Sequence, residues 1–238
     1  MIHCEGLNKF YGAEKVLQNV SFSLAERKTL SVLGRSGSGK TTLLRILAGL
    51  ESANEGEILL KGQRINETPA KDRGIVYLYQ EALLFPHLNV FDNIAFGLRL
   101  RRTPGSEIKA RVGEMLERLE LEDQQKKMPQ QLSGGQKQRV SFGRALIINP
   151  RVLLLDEPFG ALDVETRSSM QAFLKEVSQT YQITAIFVTH DLKEALLMGD
   201  RVGYMREGQL EIYDSKAAFV ADSRTEAQNE IAFWKEYQ

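Results

Sequence analysis

The stretch Gly34-Arg-Ser-Gly-Ser-Gly-Lys-Thr-Thr42 fits the pattern G-x-x-x-x-G-K-[ST], with Gly34, Gly39, Lys40 and Thr41 at the fixed positions. The apolar run before it, residues 29–33, predicts a buried strand. Apolar residues at helical spacing over 43–50 predict a helix that packs by one face. A strand, a glycine-rich turn and a helix form the context in which such a loop binds phosphate. An ordinary glycine-rich turn is the alternative, and it leaves both flanking elements unexplained.

The chemistry of this loop follows from its residue types. Glycines let backbone N–H groups curl around an anion, and the helix N-terminus adds partial positive charge. Lys40 can reach the β- and γ-phosphates, and the Thr41 hydroxyl can hold Mg²⁺. We expect Lys40 to face solvent when no phosphate is bound. The predicted nucleotide contacts are Gly34, Arg35, Ser36, Gly37, Ser38, Gly39, Lys40, Thr41 and Thr42.

The composition is globular: 238 residues, 42% hydrophobic and 26% charged, with 31 basic and 31 acidic side chains. This balance gives no argument for binding nucleic acid or anionic lipid. The single cysteine, Cys4, excludes an internal disulfide and suits a reducing compartment. The N-terminus lacks a basic-then-apolar signal, and no apolar run approaches the roughly 18 residues needed to span a bilayer. We therefore expect any membrane contact to be made through a partner.

Around the loop, the sequence predicts an α/β protein. Three β-like segments predict a mixed sheet beside the nucleotide core, at 2–7, 16–24 and 56–62. Helical periodicity from Asn89 to about 149 predicts a helical lobe, with Ser106 as the N-cap of its second helix.

The second half of the chain alternates strands and helices. Apolar runs at 152–156 and 184–189 flank a helical stretch at 164–180, and this alternation is typical of a parallel sheet. A short hairpin and helices are expected from Arg206 onwards.

Two adjacent carboxylates, Asp156 and Glu157, follow the first of these runs, and Pro158 ends it. Burying them without a cation is costly, so this edge of the sheet predicts a metal–phosphate site. In phosphate-loop NTPases an aspartate here holds Mg²⁺. Glu157 is the better general base because it can reach further towards an attacking water. The alternative is an acidic pair that caps a helix.

A further anion site is predicted at Leu132-Ser-Gly-Gly-Gln136, just before an amphipathic helix that Ser133 can cap. One nucleotide scarcely needs two such sites. A symmetric dimer, in which each chain lends this loop to the other's nucleotide, explains the surplus. An ordinary helix cap explains the spacing equally well.

These stretches, with Leu153–Pro158 and Thr189-His-Asp191, resemble the ATP-binding subunit of an ATP-binding-cassette (ABC) transporter. The match runs in order from Tyr11 to about Gly208. The resemblance implies a single ABC ATPase domain over 1–238. Its phosphate-loop core with a parallel sheet and an N-terminal antiparallel β subdomain covers 1–88 and 150–238, and an inserted helical subdomain with the signature loop covers 89–149.

The resemblance also implies residue roles. Those matching catalytic groups are Glu157, His190, Gln80 and Lys40, and those matching Mg²⁺ contacts are Thr41, Gln80 and Asp156. Tyr11 matches the aromatic that stacks on adenine; alone it is typical of a half-buried turn residue. His190 matches the histidine at the γ-phosphate; alone it could cap a strand end. The residues matching the signature loop are Ser133, Gly134, Gly135 and Gln136. Arg35 stands where relatives often have proline, which removes no phosphate ligand.

The implied function is ATP hydrolysis coupled to solute transport, with ATP and Mg²⁺ as cofactors. The expected partners are a second copy of the chain, integral membrane permease subunits and, at one remove, a solute-binding protein, with no nucleic acid. The expected location is peripheral, at the cytoplasmic face of the cell membrane. Residues 83–98 are similar to the importer branch for polyamines, ferric iron, thiamine, sulfate or sugars. Many of those subunits continue into a C-terminal regulatory β-domain, which we expect this chain to lack.

Several alternatives remain at this point. Export is one, because the membrane subunits set the direction of transport. A soluble ABC protein of DNA repair or translation predicts two cassettes or a long coiled-coil insertion. A phosphate-loop kinase leaves Leu132–Gln136 unexplained. Finally, the apolar segment 83–88 predicts that residues 80–96 dock a membrane subunit, with core packing as the alternative reading.

Overall fold

The structure, a computed structural model, describes residues 1–225 and 227–236. Two compact units are present: Met1–Ile75 with Thr184–Gln238, and Val76–Ile183. The single domain with subdomain bounds at 89 and 149 stays a prediction.

The first unit contains an antiparallel sheet of four strands in the order β2-β1-β4-β5. The strands are β1 (Ile2–Tyr11), β2 (Glu14–Leu24), β4 (Glu55–Leu60) and β5 (Gln63–Arg64). Every pair in it is antiparallel, so the antiparallel β subdomain that the resemblance implied is confirmed, whereas the mixed sheet expected from the β-like segments was wrong. Short turns join β1 to β2 and β4 to β5, and a hairpin turn can join only antiparallel neighbours; β1 and β4 pair antiparallel across a long connection. Cys4 lies in this sheet opposite Phe22 and Ile58; it is fully buried, and burial raises the pKa of its thiol.

The first unit also contains the predicted parallel strands. Their order is β10-β9-β3-β8, for β3 (Thr29–Leu33), β8 (Thr184–Thr189), β9 (Arg201–Arg206) and β10 (Gln209–Tyr213). β3 pairs in parallel with both β8 and β9, and β10 returns antiparallel to β9. The parallel core is therefore confirmed. β9 was not expected, because the predicted hairpin began only at its last residue.

Among the described residues of the first unit are four α-helices: α1 (Lys40–Ala48), α6 (Leu192–Met198), α7 (Lys216–Ala221) and α8 (Ala227–Glu236). The helix after the glycine-rich loop is confirmed, but it stops earlier than expected. Gly49 adopts a left-handed φ of 76° at its C-cap, which ends the helix. Leu50 therefore lies beyond α1 and is 48% exposed instead of packing in the core.

The second unit contains β6 (Ile75–Leu78) and β7 (Val152–Asp156), which are neighbours in a sheet. Its helices are α2 (Val90–Leu100), α3 (Gly105–Arg118), α4 (Gly134–Leu146) and α5 (Val164–Thr180). The apolar faces predicted for the first two helices are buried, including Ile94 and Val112. Ser106 does not cap α3. Pro104 occupies the N-cap position instead, and no side chain bonds there.

Gly143 on α4 lets its neighbours approach closely. A Cβ at this position would lie 2.8 Å from Leu119 and 3.2 Å from Ile94. None of the helices in the described ranges is long and apolar enough to cross a membrane.

Candidate functional site

The glycine-rich loop begins where β3 ends and closes at the first residue of α1. Gly37 and Gly39 have φ values of 79° and 103°, in the left-handed region that side-chain-bearing residues rarely adopt. At Gly34 there is no room for a side chain, because a Cβ would lie 2.3 Å from the carbonyl oxygen of Met205. The three glycines therefore allow a backbone curl that other residues could not form.

The N-terminus of α1 has no side-chain cap. Asn89, Ser133, Asp163 and Asp191 each cap their helix with a side chain, whereas Gly39 of α1 cannot. The first turn of α1, Lys40-Thr-Thr, also contains no acidic residue. Its partial positive charge is therefore left for an anion.

Two polar side chains of the loop bear on phosphate binding. The buried Oγ of Ser38 has no hydrogen-bond partner among the described residues, and such a group is unfavourable unless a ligand satisfies it. Lys40 is only 5% exposed, and its Nζ donates to the carbonyl oxygens of Gly34 at 2.7 Å and Arg35 at 2.9 Å. The expectation that Lys40 faces solvent was wrong, because the loop's own carbonyls fold the ammonium inwards. These groups fit a polyphosphate.

Tyr11 lies at the end of β1 and is 47% exposed. Its hydroxyl donates to the carboxylate of Glu51, and the Lys9 ammonium lies 4.9 Å from its ring centroid. The bond to Glu51 and partial burial raise the pKa of this phenol. The ring is therefore held and still accessible to a flat ligand.

In the second unit, Asp156 closes β7 and is 4% exposed. The hydroxyl of Tyr77 on β6 donates to its Oδ2 at 2.7 Å. Tyr77 was not predicted. The signal that could have found it is its position on the strand that leads to Gln80. Its hydroxyl gives the buried carboxyl group a hydrogen-bond donor, which orients the group.

Glu157 follows with a φ of 44°, a left-handed conformation that is unfavourable for a glutamate. Gln80 Nε2 donates to its Oε2 at 3.5 Å, so the two predicted catalytic side chains of this unit lie together. The next carbonyl, of Pro158, accepts from Gln138 Nε2 on α4 at 2.9 Å. Backbone strain fixed by such contacts is common at functional sites.

The predicted signature loop forms a capping box at the start of α4. Ser133 Oγ accepts from the backbone N–H of Gln136 at 3.2 Å, and Gln136 Oε1 accepts from that of Ser133 at 3.0 Å. Ser133 and Gly134 are exposed. Local capping is therefore real, and the residues remain accessible to a second molecule.

His190 follows β8 and is exposed. The next residue, Asp191, caps α6 by accepting from the N–H of Glu194 at 2.9 Å. Thr189 Oγ1 donates to the Glu194 carboxylate at 2.7 Å and accepts from the N–H of Asp191 at 3.0 Å. These bonds hold the backbone on both sides of His190 and leave its ring at the surface.

The segment after Gln80 has no regular structure, and side chains from two helices fasten it. Asn93 of α2 is fully buried; its Oδ1 accepts from the N–H of Phe85 at 2.9 Å, and its Nδ2 donates to the carbonyl of Leu88 at 2.8 Å. Arg144 of α4 donates to the carbonyl of Leu83 at 2.7 Å and lies 5.0 Å from the Phe85 ring centroid. Burial lowers the pKa of Arg144. Leu83 is 51% exposed.

Within the residues that the structure describes, no three His, Cys, Asp or Glu side chains are close enough to hold a metal ion. Mg²⁺ usually takes only one or two carboxylates from a protein, while phosphate oxygens and waters supply the other ligands.

Comparison with known protein families supplies the decisive observation. The sequence pattern of the ABC transporter family matches residues 17–160, more than half of the chain. The chain belongs to this family. The ABC transporter resemblance seen in the sequence is therefore confirmed.

Two curated relatives show how much of an ABC protein the chain covers. It is 42% identical over 233 residues to the sulfate/thiosulfate import ATP-binding protein CysA of Bacillus cereus (strain ATCC 10987 / NRS 248), covering 93% of this chain and 65% of that protein. It is 44% identical over 211 residues to the spermidine/putrescine import ATP-binding protein PotA of Vibrio parahaemolyticus serotype O3:K6 (strain RIMD 2210633), covering 89% of this chain and 56% of that protein. The chain thus spans less than two thirds of each relative.

Solved ABC structures confirm the fold class. The ATP-binding cassette MJ0796, described as a dimer in a post-hydrolysis state bound to ADP and Pi, superposes with a TM-score of 0.82 at 32% identity. The match covers 89% of this chain and 97% of that one. A second dimeric structure of MJ0796, described as a bacterial ABC transporter cassette, gives a TM-score of 0.82 at 33% identity.

Proposed function

We propose that the chain is the ATP-hydrolysing subunit of an ABC importer. The observation that carries this proposal is the glycine-rich loop, with left-handed glycines, an uncapped α1 and the orphaned Ser38 hydroxyl. An anion with several oxygens fits all three features. Because the relatives are named as ATP-binding proteins, we infer that the anion is ATP.

In this proposal, each unit of the chain contributes its own groups. In the first unit, Lys40 and the loop amides stabilise charge on the phosphates, Tyr11 stacks on adenine, and His190 contacts the γ-phosphate. In the second unit, Glu157 accepts a proton from the attacking water, and Gln80 orients that water. Mg²⁺ would be held by Thr41, Gln80 and Asp156, and it supplies positive charge to the phosphate oxygens.

A second copy of the chain completes the proposed site. Ser133 and Gly134 are exposed at the start of α4, where backbone N–H groups can face the γ-phosphate of the partner's ATP. MJ0796 is described as a dimer in both solved structures. Residues 160–163 would contact the same residues of the second copy at the dimer interface.

The proposed membrane partners are permease subunits that dock on the segment after Gln80. Its leucines and Phe85 are partly exposed although Asn93 and Arg144 hold the backbone firmly, so it presents an apolar but ordered surface. A short amphipathic helix could bury its apolar face there. Both curated relatives described above are import proteins, which favours import, served by a solute-binding protein. The chain would then lie at the cytoplasmic face of the membrane.

Two substitutions separate binding from hydrolysis. Lys40→Ala should weaken ATP binding by about tenfold or more, since charge-assisted hydrogen bonds contribute about 1.5–3 kcal/mol each. Glu157→Gln should bind ATP normally and lose hydrolysis by a factor of about a hundred or more, the usual contribution of a general base. Calorimetry with Mg-ATP and phosphate release measure the two effects.

The same measurements on these two variants can also refute the proposal. Wild-type ATP affinity and turnover in a folded Lys40→Ala variant would refute the assignment of the phosphate loop. Near-normal hydrolysis by Glu157→Gln would mean that Glu157 is not the general base and that another residue has this role. Circular dichroism of each variant checks that the fold is retained.

A further inference from the structure

Tyr11 is fastened by a small buried network that the family motifs do not include. Its hydroxyl donates to Glu51, and Lys9 Nζ forms an ion pair with the same carboxylate at 3.0 Å. The side chains of Lys9 and Glu51 are only 12% and 18% exposed, whereas Tyr11 is 47% exposed. A mostly buried charge pair thus holds an accessible aromatic ring.

Lys9 makes two more contacts that fix this arrangement. Its Nζ donates to the carbonyl oxygen of Ser52 at 2.8 Å, and it lies 4.9 Å from the centroid of the Tyr11 ring. The ammonium therefore covers the ring on one side while bonded to the segment that follows α1. Cation–π contacts of this kind favour one orientation of the ring.

The same segment is bonded to the end of β1 by its backbone. Asn54 Oδ1 accepts from the N–H of Phe10 at 2.9 Å, and the N–H of Asn54 donates to the carbonyl of Asn8 at 2.9 Å. Residues 51–54 begin two positions after Gly49, the C-cap residue of α1. These hydrogen bonds therefore fix the position of Tyr11 relative to α1, and the phosphate loop lies at the other end of that helix.

The protonation states agree with this geometry. Burial alone would disfavour the ionised carboxylate, but the bonds from Tyr11 and Lys9 hold the pKa of Glu51 below its usual range. The bond to Glu51 raises the pKa of Tyr11, so the phenol stays a donor. The contact is a charge-assisted hydrogen bond, which is stronger and more directional than a neutral one.

We propose that Glu51 and Lys9 are positioning residues for the nucleobase: they hold the Tyr11 ring where it stacks on adenine. This inference rests on the proposed function, in which Tyr11 contacts the base. Without the pair, the Tyr11 side chain gains rotamer freedom, and ATP binding must order it again. The affinity contributed by the base contact therefore decreases, whereas the affinity contributed by the phosphate contacts does not change.

The test compares two ligands that share the phosphates but not the base, Mg-ATP and Mg-tripolyphosphate. Binding is measured by calorimetry in the Glu157→Gln background, so that ATP persists. The variants are Glu51→Gln, Lys9→Met and Tyr11→Ala. The control is Glu26→Gln, an exposed carboxylate of the same unit whose ion-pair partner, Lys61, lies 3.9 Å away.

Glu51→Gln and Lys9→Met should each weaken ATP binding about fivefold, the factor expected when binding must order one more side chain. Tripolyphosphate affinity should change by less than about twofold, because no base is involved. The control should leave both affinities unchanged. Equal losses for the two ligands would mean that the pair only supports the fold, and the inference would be overturned.

Tyr11→Ala separates this inference from the proposed function. If it weakens ATP but not tripolyphosphate while Glu51→Gln and Lys9→Met weaken neither, Tyr11 contacts the base unaided and the positioning role is wrong. If Tyr11→Ala also leaves ATP affinity unchanged, the adenine contact itself is wrong, and the inference falls with it.

Discussion

Arg73 tests how far the C-terminal end of α1 depends on one buried side chain. It is 6% exposed, and its Nη1 donates to the carbonyls of Ile46 at 2.7 Å and Leu47 at 2.9 Å. Its Nε and Nη2 donate to the carbonyls of Thr68 at 2.8 Å and Asn66 at 3.1 Å. The guanidinium thus bonds to two carbonyls at the helix end, where i→i+4 partners run out; the Ile46 carbonyl also accepts from the N–H of Gly49 at 3.1 Å.

The magnitude for Arg73→Met follows from these four bonds. The carbonyls of residues 66 and 68 are partly exposed and can bond to water, so their loss contributes little. At the end of α1, the Leu47 carbonyl loses this partner at a cost of about 1–3 kcal/mol. The Ile46 carbonyl keeps the backbone N–H of Gly49 at 3.1 Å, so its loss is smaller. Removing a buried guanidinium also removes its desolvation penalty, which offsets part of the loss. We therefore expect a net destabilisation of about 2 kcal/mol. For a chain of this length that corresponds to a Tm lower by about 4–8 °C.

Thermal unfolding followed by circular dichroism measures this shift. Arg64→Met is the matched control, because the Arg64 side chain is 49% exposed and pairs with Glu57 and Glu67 at the surface. Exposed ion pairs contribute about 0–1 kcal/mol, so its Tm should fall by less than about 4 °C. Equal Tm values for the two variants would refute the view that Arg73 holds the end of α1.

Two further predictions concern partners. Ser133→Arg, added to Glu157→Gln, should abolish an ATP-dependent dimer in gel filtration, because a bulky cation would block the approach of the signature loop to the phosphate. Ser133→Ala is the control. A dimer that persists in the Ser133→Arg variant would contradict the shared site. Leu84→Asp and Phe85→Asp should each uncouple transport in reconstituted vesicles and spare the ATPase of the isolated subunit. Equal loss of both activities would mean that these side chains belong to the core.

Local patterns in the sequence predicted the elements that bear the chemistry. The strand, glycine turn and helix around Lys40 follow from contiguous residues, and so do the apolar β7 and the periodic α2. Each is determined by neighbours within a few positions. The same locality explains two errors: Ser106 suits an N-cap by residue type, yet Pro104 already begins the helix, and Leu50 fits the helical period although Gly49 ends it.

Contacts between distant positions could not be predicted in this way. Tyr77 meets Asp156 across 79 positions, and Arg73 meets Ile46 across 27. A tyrosine or an arginine at these positions does not indicate, by its residue type, which distant residue it contacts. Lys40 illustrates a different limit, since its identity pointed to phosphate but gave no sign of the carbonyls that hold it inwards. The sequence therefore indicates which chemistry is present, whereas the structure adds the groups that orient it.

The buried thiol in the antiparallel sheet has a practical consequence for following motion in this molecule. Cys4 is the only cysteine of the chain, fully enclosed, and its raised pKa keeps it in the unreactive thiol form. An alkylating reagent can reach it only when β1 separates from its neighbours. Its rate of alkylation under native conditions therefore reports the opening free energy of that sheet, without any engineered label. Conversely, a cysteine introduced on the surface can be labelled selectively in the otherwise native chain.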